Sequence, residues 1–455
     1  MRITLCSLGY TKRRVASVAR VEATAMRIRF VVMAFGSLFF LTYLVKCIDS
    51  RKVYIGHKVL RVIPKTKAQV DFLRSLHSFF NNEVVDFWTH SSLRGTPVDI
   101  RLAPGQVYRN ITSLLNSHNI KFQVQISDLQ SAIKRKNRNW RNKREESSWF
   151  EKYHTLAEIF SKLEETAARF KERVRMITFG KSYEGRQLKA VEIGSTLHIP
   201  KPLVFINCGI HAREWVSPAT CMYIIDQLTS RYSDDITVQQ VLNKVDFVIM
   251  PVFNVDGYVY TWGKDRMWRK SRSLNPGSQC VGADLNRNWG FRWGEPGASS
   301  HPCSDSYHGN SAMSEEEVQA VAKYLESLGR RLVAFLDIHS YSQMLMFPWG
   351  YTKAHCKDYL ELMRVSKAVV DAIKTKGGDN TSYVFGQTSD ILYIESGTMK
   401  DYLYGHLKVK YTFSMELRDT GRHGFLLPTR LIVPTAREAF EGIKALVLNM
   451  QLNDQ

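Results

Sequence analysis

The chain reads as an α/β protein, and two features of its pattern predict this. From about residue 145 to the end, apolar runs of strand length alternate with stretches of helical spacing. Such alternation marks a sheet covered by helices. A smaller block before it, residues 51–133, shows the same mixture on a shorter scale.

In the larger block the strand candidates are Leu203–Ile206, Val245–Val252, Leu332–Ile338 and Tyr411–Leu417. Helical spacing covers Ser217–Arg231, Ala354–Thr375 and Thr435–Leu452. Ser314 with Glu317 has capping-box spacing and predicts a helix through Leu325. In the smaller block Val53–Val62, Val84–Trp88, Val98–Leu102 and Phe122–Ile126 read as strands, and Thr66–His77 and Pro104–Asn116 as helices. There is no internal repeat.

The 455 residues allow one large and one small domain, and 44% hydrophobic residues suffice for a sizeable core. The net charge of +20 suggests nucleic acid or an anionic membrane as partners. Much of that excess lies in the N-terminal third, without an RNA-binding or zinc-finger signature, so no nucleic-acid partner is expected. Residues 1–25 are a basic, irregular upstream extension. Residues 26–50 are tripartite: Arg27 and Arg29, the apolar run Phe30–Val45, then Lys46–Ser50. A spanning helix needs roughly 20 apolar residues and a signal core about 7–15, so a signal peptide cut near Cys47–Ser50 is expected. An uncleaved signal anchor is the competing reading of this stretch. A secreted product without a stable membrane anchor follows from the first.

Residues 134–144 carry Lys134, Arg135, Lys136, Arg138, Arg141, Lys143 and Arg144 with no acid. A like-charge run between two folded blocks is normally a solvated linker, open to a trypsin-like protease. A nucleic-acid arm is the less favoured alternative. The cysteines fit secretion: Cys280 and Cys303 flank a loop, and Cys208 and Cys221 flank a turn discussed next. In an oxidising compartment both pairs can be disulfides. A buried reduced pair is the alternative for Cys208 and Cys221, and Cys356 is left over. Asn110 and Asn380 open glycosylation sequons, usable only in a secreted chain.

The turn in question is Asn207–Ser217, reading NCGIHAREWVS. His211 and Glu214 follow the apolar run Leu203–Ile206 and so sit where a strand ends. Imidazole nitrogen and carboxylate oxygen both bind zinc, and a catalytic zinc takes three protein ligands plus water. A lone HxxE is equally compatible with a surface His and a solvated Glu. His339, in the segment Asp337–Tyr341, follows another apolar strand and is the candidate third ligand. Open α/β sheets bind ligands at the carboxyl ends of their strands.

With these residues in view, about residues 145–452 resemble the funnel-type zinc metallocarboxypeptidases, the pancreatic carboxypeptidase A/B group, and the catalytic domain is expected over 145–455. The matching segments are HAREW (211–215), MWRKSRS (267–273), GADLNRNW (282–289), DIHSYSQ (337–343) and MELRDTGRHGFLLP (415–428), in the family's order. The resemblance implies a mixed central sheet flanked by helices on both faces. It implies one zinc per chain on His211, Glu214 and His339. Residues 51–133 resemble the family's propeptide, a small α/β open sandwich, and residues 134–144 fall where activation cleavage would occur.

The resemblance further implies Glu416 as general base and Arg269 as oxyanion stabiliser. Asn286, Arg287 and Tyr393 would clamp the substrate's terminal carboxylate, and Arg213, Tyr341 and Phe425 would line the cleft. Asp284 would orient His211. Taken alone, Glu416 reads first as an ordinary paired carboxylate, with Arg418 as its partner. Lys400 occupies the position that sets the family's terminal-residue preference, and a lysine there implies acidic C-terminal residues. Glu395, where the family commonly has a small residue, can neutralise Lys400. The expected protein is thus a secreted zymogen whose mature form, a monomer, removes C-terminal residues from peptides and proteins.

Overall fold

The computed structural model describes residues 51–79, 83–89, 93–142 and 148–452. The expected extension, the signal segment and residues 143–144 of the basic run lie outside the described residues. The elements below belong to one unit, Val53–Gln455.

Residues 58–126 form an antiparallel sheet with two helices. In chain order these are β1 (Lys58–Val62), α1 (Lys67–Phe79), β2 (Val85–Phe87), β3 (Val98–Leu102), α2 (Gln106–Ser117) and β4 (Phe122–Ile126), with sheet order β2-β3-β1-β4. Leu60, Val62, Leu73, Val98, Ile100, Ile111 and Leu115 form its core. The sequence places β3 and β4 at these same residues, and starts β1 too early because Gly56 turns the chain at positive φ just before it.

Next comes α3 (Leu129–Asn142). The helix continues through residue 142 of the basic run that is expected as a solvated linker. Lys and Arg are good helix formers. The helix is anchored at its start by Leu129 and Ile133, which pack with Tyr341, Phe425 and Leu426.

The larger region continues with α4 (Leu156–Arg169), β5 (Val174–Lys181), β6 (Gln187–Ile193), β7 (Leu203–Cys208), α5 (Val216–Ser230), α6 (Ile236–Lys244), β8 (Asp246–Met250) and α7 (Val255–Gly263). After a long loop follow α8 (Glu316–Ser327), β9 (Leu332–Ser340), β10 (Met344–Phe347), α9 (Tyr359–Lys376), β11 (Val384–Gln387) and α10 (Thr388–Ile391). The last elements are α11 (Met399–Gly405), β12 (Tyr411–Leu417) and α12 (Ile432–Asn449). The eight strands are ordered β11-β10-β12-β9-β7-β8-β6-β5. The inner four, β12-β9-β7-β8, run parallel, and the antiparallel pairings lie outside them, so the sheet is mixed as expected. Helices cover both faces; α5 and α9 each pack on α12.

The four inner strands are buried almost throughout, which is why they read as continuous apolar runs. The outer strands β5, β6, β10 and β11 carry a weaker signal and are absent from the sequence reading. The expected capping box also fails. Glu315 is the N-cap of α8 and makes no side-chain cap, while Ser314 accepts from Asn288 and donates to Glu315. Glu317 is buried and accepts from the Tyr183 N–H.

Candidate metal centre and peptide cleft

Parallel strands deliver side chains to one edge of the sheet. The turn leaving β7 carries His211 and Glu214, the end of β9 carries His339, and β12 sets Glu416 in register with His339. The Cys208–Cys221 disulfide ties the end of β7 to α5 across the HxxE turn. Cys280–Cys303 ties the loop that holds Asp284, Asn286 and Arg287. Both expected pairings are therefore present, and Cys356 is a buried free thiol.

His211, Glu214 and His339 converge and are buried. His211 Nδ1 lies 2.9 Å from Glu214 Oε1, and His339 Nδ1 lies 3.2 Å from both Glu214 Oε2 and His211 Nδ1. The far nitrogens are taken. His211 Nε2 faces Asp284 Oδ1 at 3.1 Å, and His339 Nε2 faces Asp337 Oδ2 at 2.8 Å. Protons on those far nitrogens leave both Nδ1 lone pairs turned inward. In that tautomer the three inward atoms are all electron-pair donors, a set that a cation between them would hold together. Their separations are those produced by bonds of about 2.0–2.2 Å to one ion. Two nitrogens and one carboxylate are a zinc-type donor set, so the residues present fit zinc.

Glu416 Oε2 is buried and without a hydrogen-bond partner beside this centre. Burial pushes the Glu416 carboxyl up to about 8; His339 opposes this rise and Glu214 adds to it. The alternative partner, Arg418, is engaged elsewhere, by Glu438 and Asp379. Glu416 is accordingly aimed at the cleft rather than held in a structural pair. The neighbouring Arg269 donates to Asp284 Oδ2 at 2.8 Å and stands 3.8 Å from Glu214.

One cleft gathers these residues together with Arg213, Asn286, Arg287, Tyr341, Tyr393 and Phe425. Arg287 Nη2 reaches the Tyr393 hydroxyl at 3.4 Å. Asn286 accepts from the Met399 N–H and donates to Asp337, so its amide is anchored on both sides. Burial pushes the Tyr393 phenol up to about 12, with Arg287 opposing, so it stays protonated at neutral pH.

Lys400 lies on α11, is 1% exposed, and is not among the cleft-lining residues. Its ammonium meets Asp401 at 3.1 Å and Glu395 at 3.8 Å. Glu395 itself lines the cleft and meets Arg287 at 3.1 Å. The expected pocket floor thus sits behind a glutamate.

The 58–126 sheet closes the cleft from outside, and two of its acids, unremarked in the sequence, make the contacts. Asp86 is buried between Arg101 and Arg213, each at 3.2 Å. Asp99 accepts from the Tyr341 hydroxyl at 2.7 Å and pairs with Arg61 at 2.7 Å. Trp88 packs on Phe425 at 5.1 Å between ring centroids. Arg213, Tyr341 and Phe425 therefore each have a partner from this sheet. Asp337 is the other residue missed. Its signal was present, since a D-x-H pair on a strand puts both side chains on one face.

Comparisons with known proteins agree with this geometry. Residues 159–442 match the zinc carboxypeptidase family, and residues 60–136 match the carboxypeptidase activation peptide. The chain is 38% identical over 404 residues to carboxypeptidase A2 of Mus musculus, covering 88% of this chain and 95% of the relative. It is also 38% identical over 400 residues to carboxypeptidase B2 of Rattus norvegicus, covering 88% and 94%. Among solved structures, thrombin activatable fibrinolysis inhibitor superposes with a TM-score of 0.78 at 37% identity, covering 86% of this chain and 98% of that one. Carboxypeptidase A from Helicoverpa armigera gives a TM-score of 0.79 at 28% identity, covering 88% and 98%. With a ligand set that suits the metal and family matches over both regions, this chain belongs to the zinc carboxypeptidases, with an activation peptide preceding the enzyme domain.

Proposed function

We propose that this chain is the secreted, latent precursor of an exopeptidase that hydrolyses the last peptide bond of a free C-terminus and prefers acidic terminal residues. The observation that carries this is one cleft uniting three inward donors, the unpartnered Oε2 of Glu416 and the Arg287–Tyr393 pair.

His211, Glu214 and His339 would hold zinc, which supplies Lewis acidity when bound. Glu416, whose carboxyl would be ionised beside a bound cation, takes a proton from the attacking water as the water's oxygen bonds to the carbonyl carbon. The guanidinium of Arg269 faces the negative charge that develops on the carbonyl oxygen. The C–N bond then breaks, and the proton held by Glu416 goes to the departing amine, giving a new carboxylate and a free amino acid. Arg287, with Asn286 and Tyr393, receives the terminal carboxylate, because a guanidinium fork matches it. Lys400 supplies the positive charge for an acidic side chain.

Latency follows from Asp86, Asp99 and Trp88, which occupy Arg213, Tyr341 and Phe425. A trypsin-like cut within residues 134–144 would detach them. The test is release from peptides ending in Glu, Phe, Arg and amidated Glu, before and after that cut. Release only after cutting, fastest for Glu and absent for the amide, is expected. No release from any peptide by cut, zinc-loaded protein would leave a peptide-binding homologue instead.

A further inference from the structure

The terminal-residue pocket already holds a carboxylate. Glu395 directs Oε2 at Arg287 Nη2, 3.1 Å away, and Oε1 at Lys400 Nζ, 3.8 Å away. Those are the two cations that an acidic terminal residue would use, one for its main-chain carboxylate and one for its side chain. Lys400 has a second partner in Asp401, which also accepts from the Gly350 and Tyr351 N–H groups. Lys400 therefore carries little uncompensated charge toward the cleft.

The placement of Glu395 is built into the fold. Its N–H donates to the Gly350 carbonyl at 3.0 Å. A Cβ at Gly350 would meet Glu395 Cγ at 2.8 Å, and one at Gly297 would meet Glu395 Cα at 2.6 Å. Two glycines are thus needed to seat this residue against Arg287, whose Nε also donates to the Gly297 carbonyl at 3.1 Å.

Resting on the exopeptidase reading above, we propose that Glu395 is a specificity-determining residue, an internal occupant that substrates must displace. A neutral terminal residue displaces one of its oxygens, from Arg287. An acidic residue must displace both and place its own carboxylate beside the displaced one. Glu395 therefore weakens binding of all free C-termini and holds the preference for acids down to a few-fold.

The experiment compares cut wild type with Glu395→Gln and Glu395→Ala on two peptides that differ only in a terminal Glu or Gln. This pair isolates charge from size. Wild type should release Glu only a few-fold faster than Gln. Both variants should raise the Glu/Gln ratio in kcat/KM about tenfold, the scale of one charged hydrogen bond, through KM rather than kcat. Gln-ended peptides should gain less, through the freed Arg287. A wild-type ratio above about a hundredfold, which needs no variant, would show Lys400 already open and overturn the proposal. So would an unmoved ratio in a variant that keeps the parental Tm. If wild type releases nothing from either peptide, it is the exopeptidase reading that fails.

Discussion

The two ends of the cleft use charge in opposite ways. At the metal end, His211, Glu214 and His339 turn three donors inward and leave no cation among themselves, while Asp284 and Asp337 brace them from behind. At the terminal-residue end, Arg287 and Lys400 already share an internal anion, Glu395. The first arrangement suits a permanent guest, because nothing has to be displaced for it to bind. The second suits a transient one, because a substrate would enter by exchange and leave as Glu395 returned.

The comparison breaks first at Glu416. Glu416→Gln should keep the metal and lose about 10²–10⁴-fold in kcat, measured by single-turnover release. A variant that hydrolyses at the parental rate would remove Glu416 from its role.

The cover comes next. Asp86→Ala leaves buried Arg101 and Arg213 without their shared acid, though Arg213 keeps Asp305 at 3.3 Å, so the uncut precursor should lose about 3 kcal/mol in denaturant unfolding and release peptides before cleavage. Unchanged stability and latency would mean the cover is held by its apolar contacts alone.

Asp337→Asn should weaken zinc binding about 10–100-fold by chelator competition, with no change in Glu/Gln selectivity. A change in selectivity instead would erase the separation between the two ends. Lys400→Asp should turn preference toward terminal Arg or Lys, read on the same peptide panel. An unchanged ranking would place Lys400 outside the pocket.

The smallest effect lies away from the cleft. Burial pushes the Glu317 carboxyl up to about 8, above its ordinary value of 4.5. The folded state then holds a proton that the unfolded state has lost, so this group's contribution to stability falls as pH rises from 4.5 to 8. Glu317→Gln should flatten that decline by a few degrees in Tm across the window.

The metal end was legible in the sequence because its chemistry sits at strand ends. Apolar runs locate the strands, and the residues just past them meet at one edge whatever the loops do. The inner parallel strands were legible for the same reason, being buried on both faces. The terminal-residue end was legible in residue types but not in outcome. Whether Glu395 meets Lys400 depends on the path of the 392–397 loop past Gly297 and Gly350, which no periodicity encodes. The contacts of Asp86 and Asp99 were hidden more deeply, since an acid on a short strand carries no sign of a partner more than a hundred residues away. The basic run's charge gave no sign of its backbone, because Leu129 and Ile133 start a helix that continues into it.

The most direct measurement is zinc reconstitution of the cut, chelator-stripped enzyme, reading bound metal and release of a terminal Glu together. A single centre at His211, Glu214 and His339 predicts activity rising in proportion to metal up to one zinc per chain, with His339→Ala neither binding nor turning over. Full turnover by stripped protein, or stoichiometric zinc in His339→Ala, would contradict it.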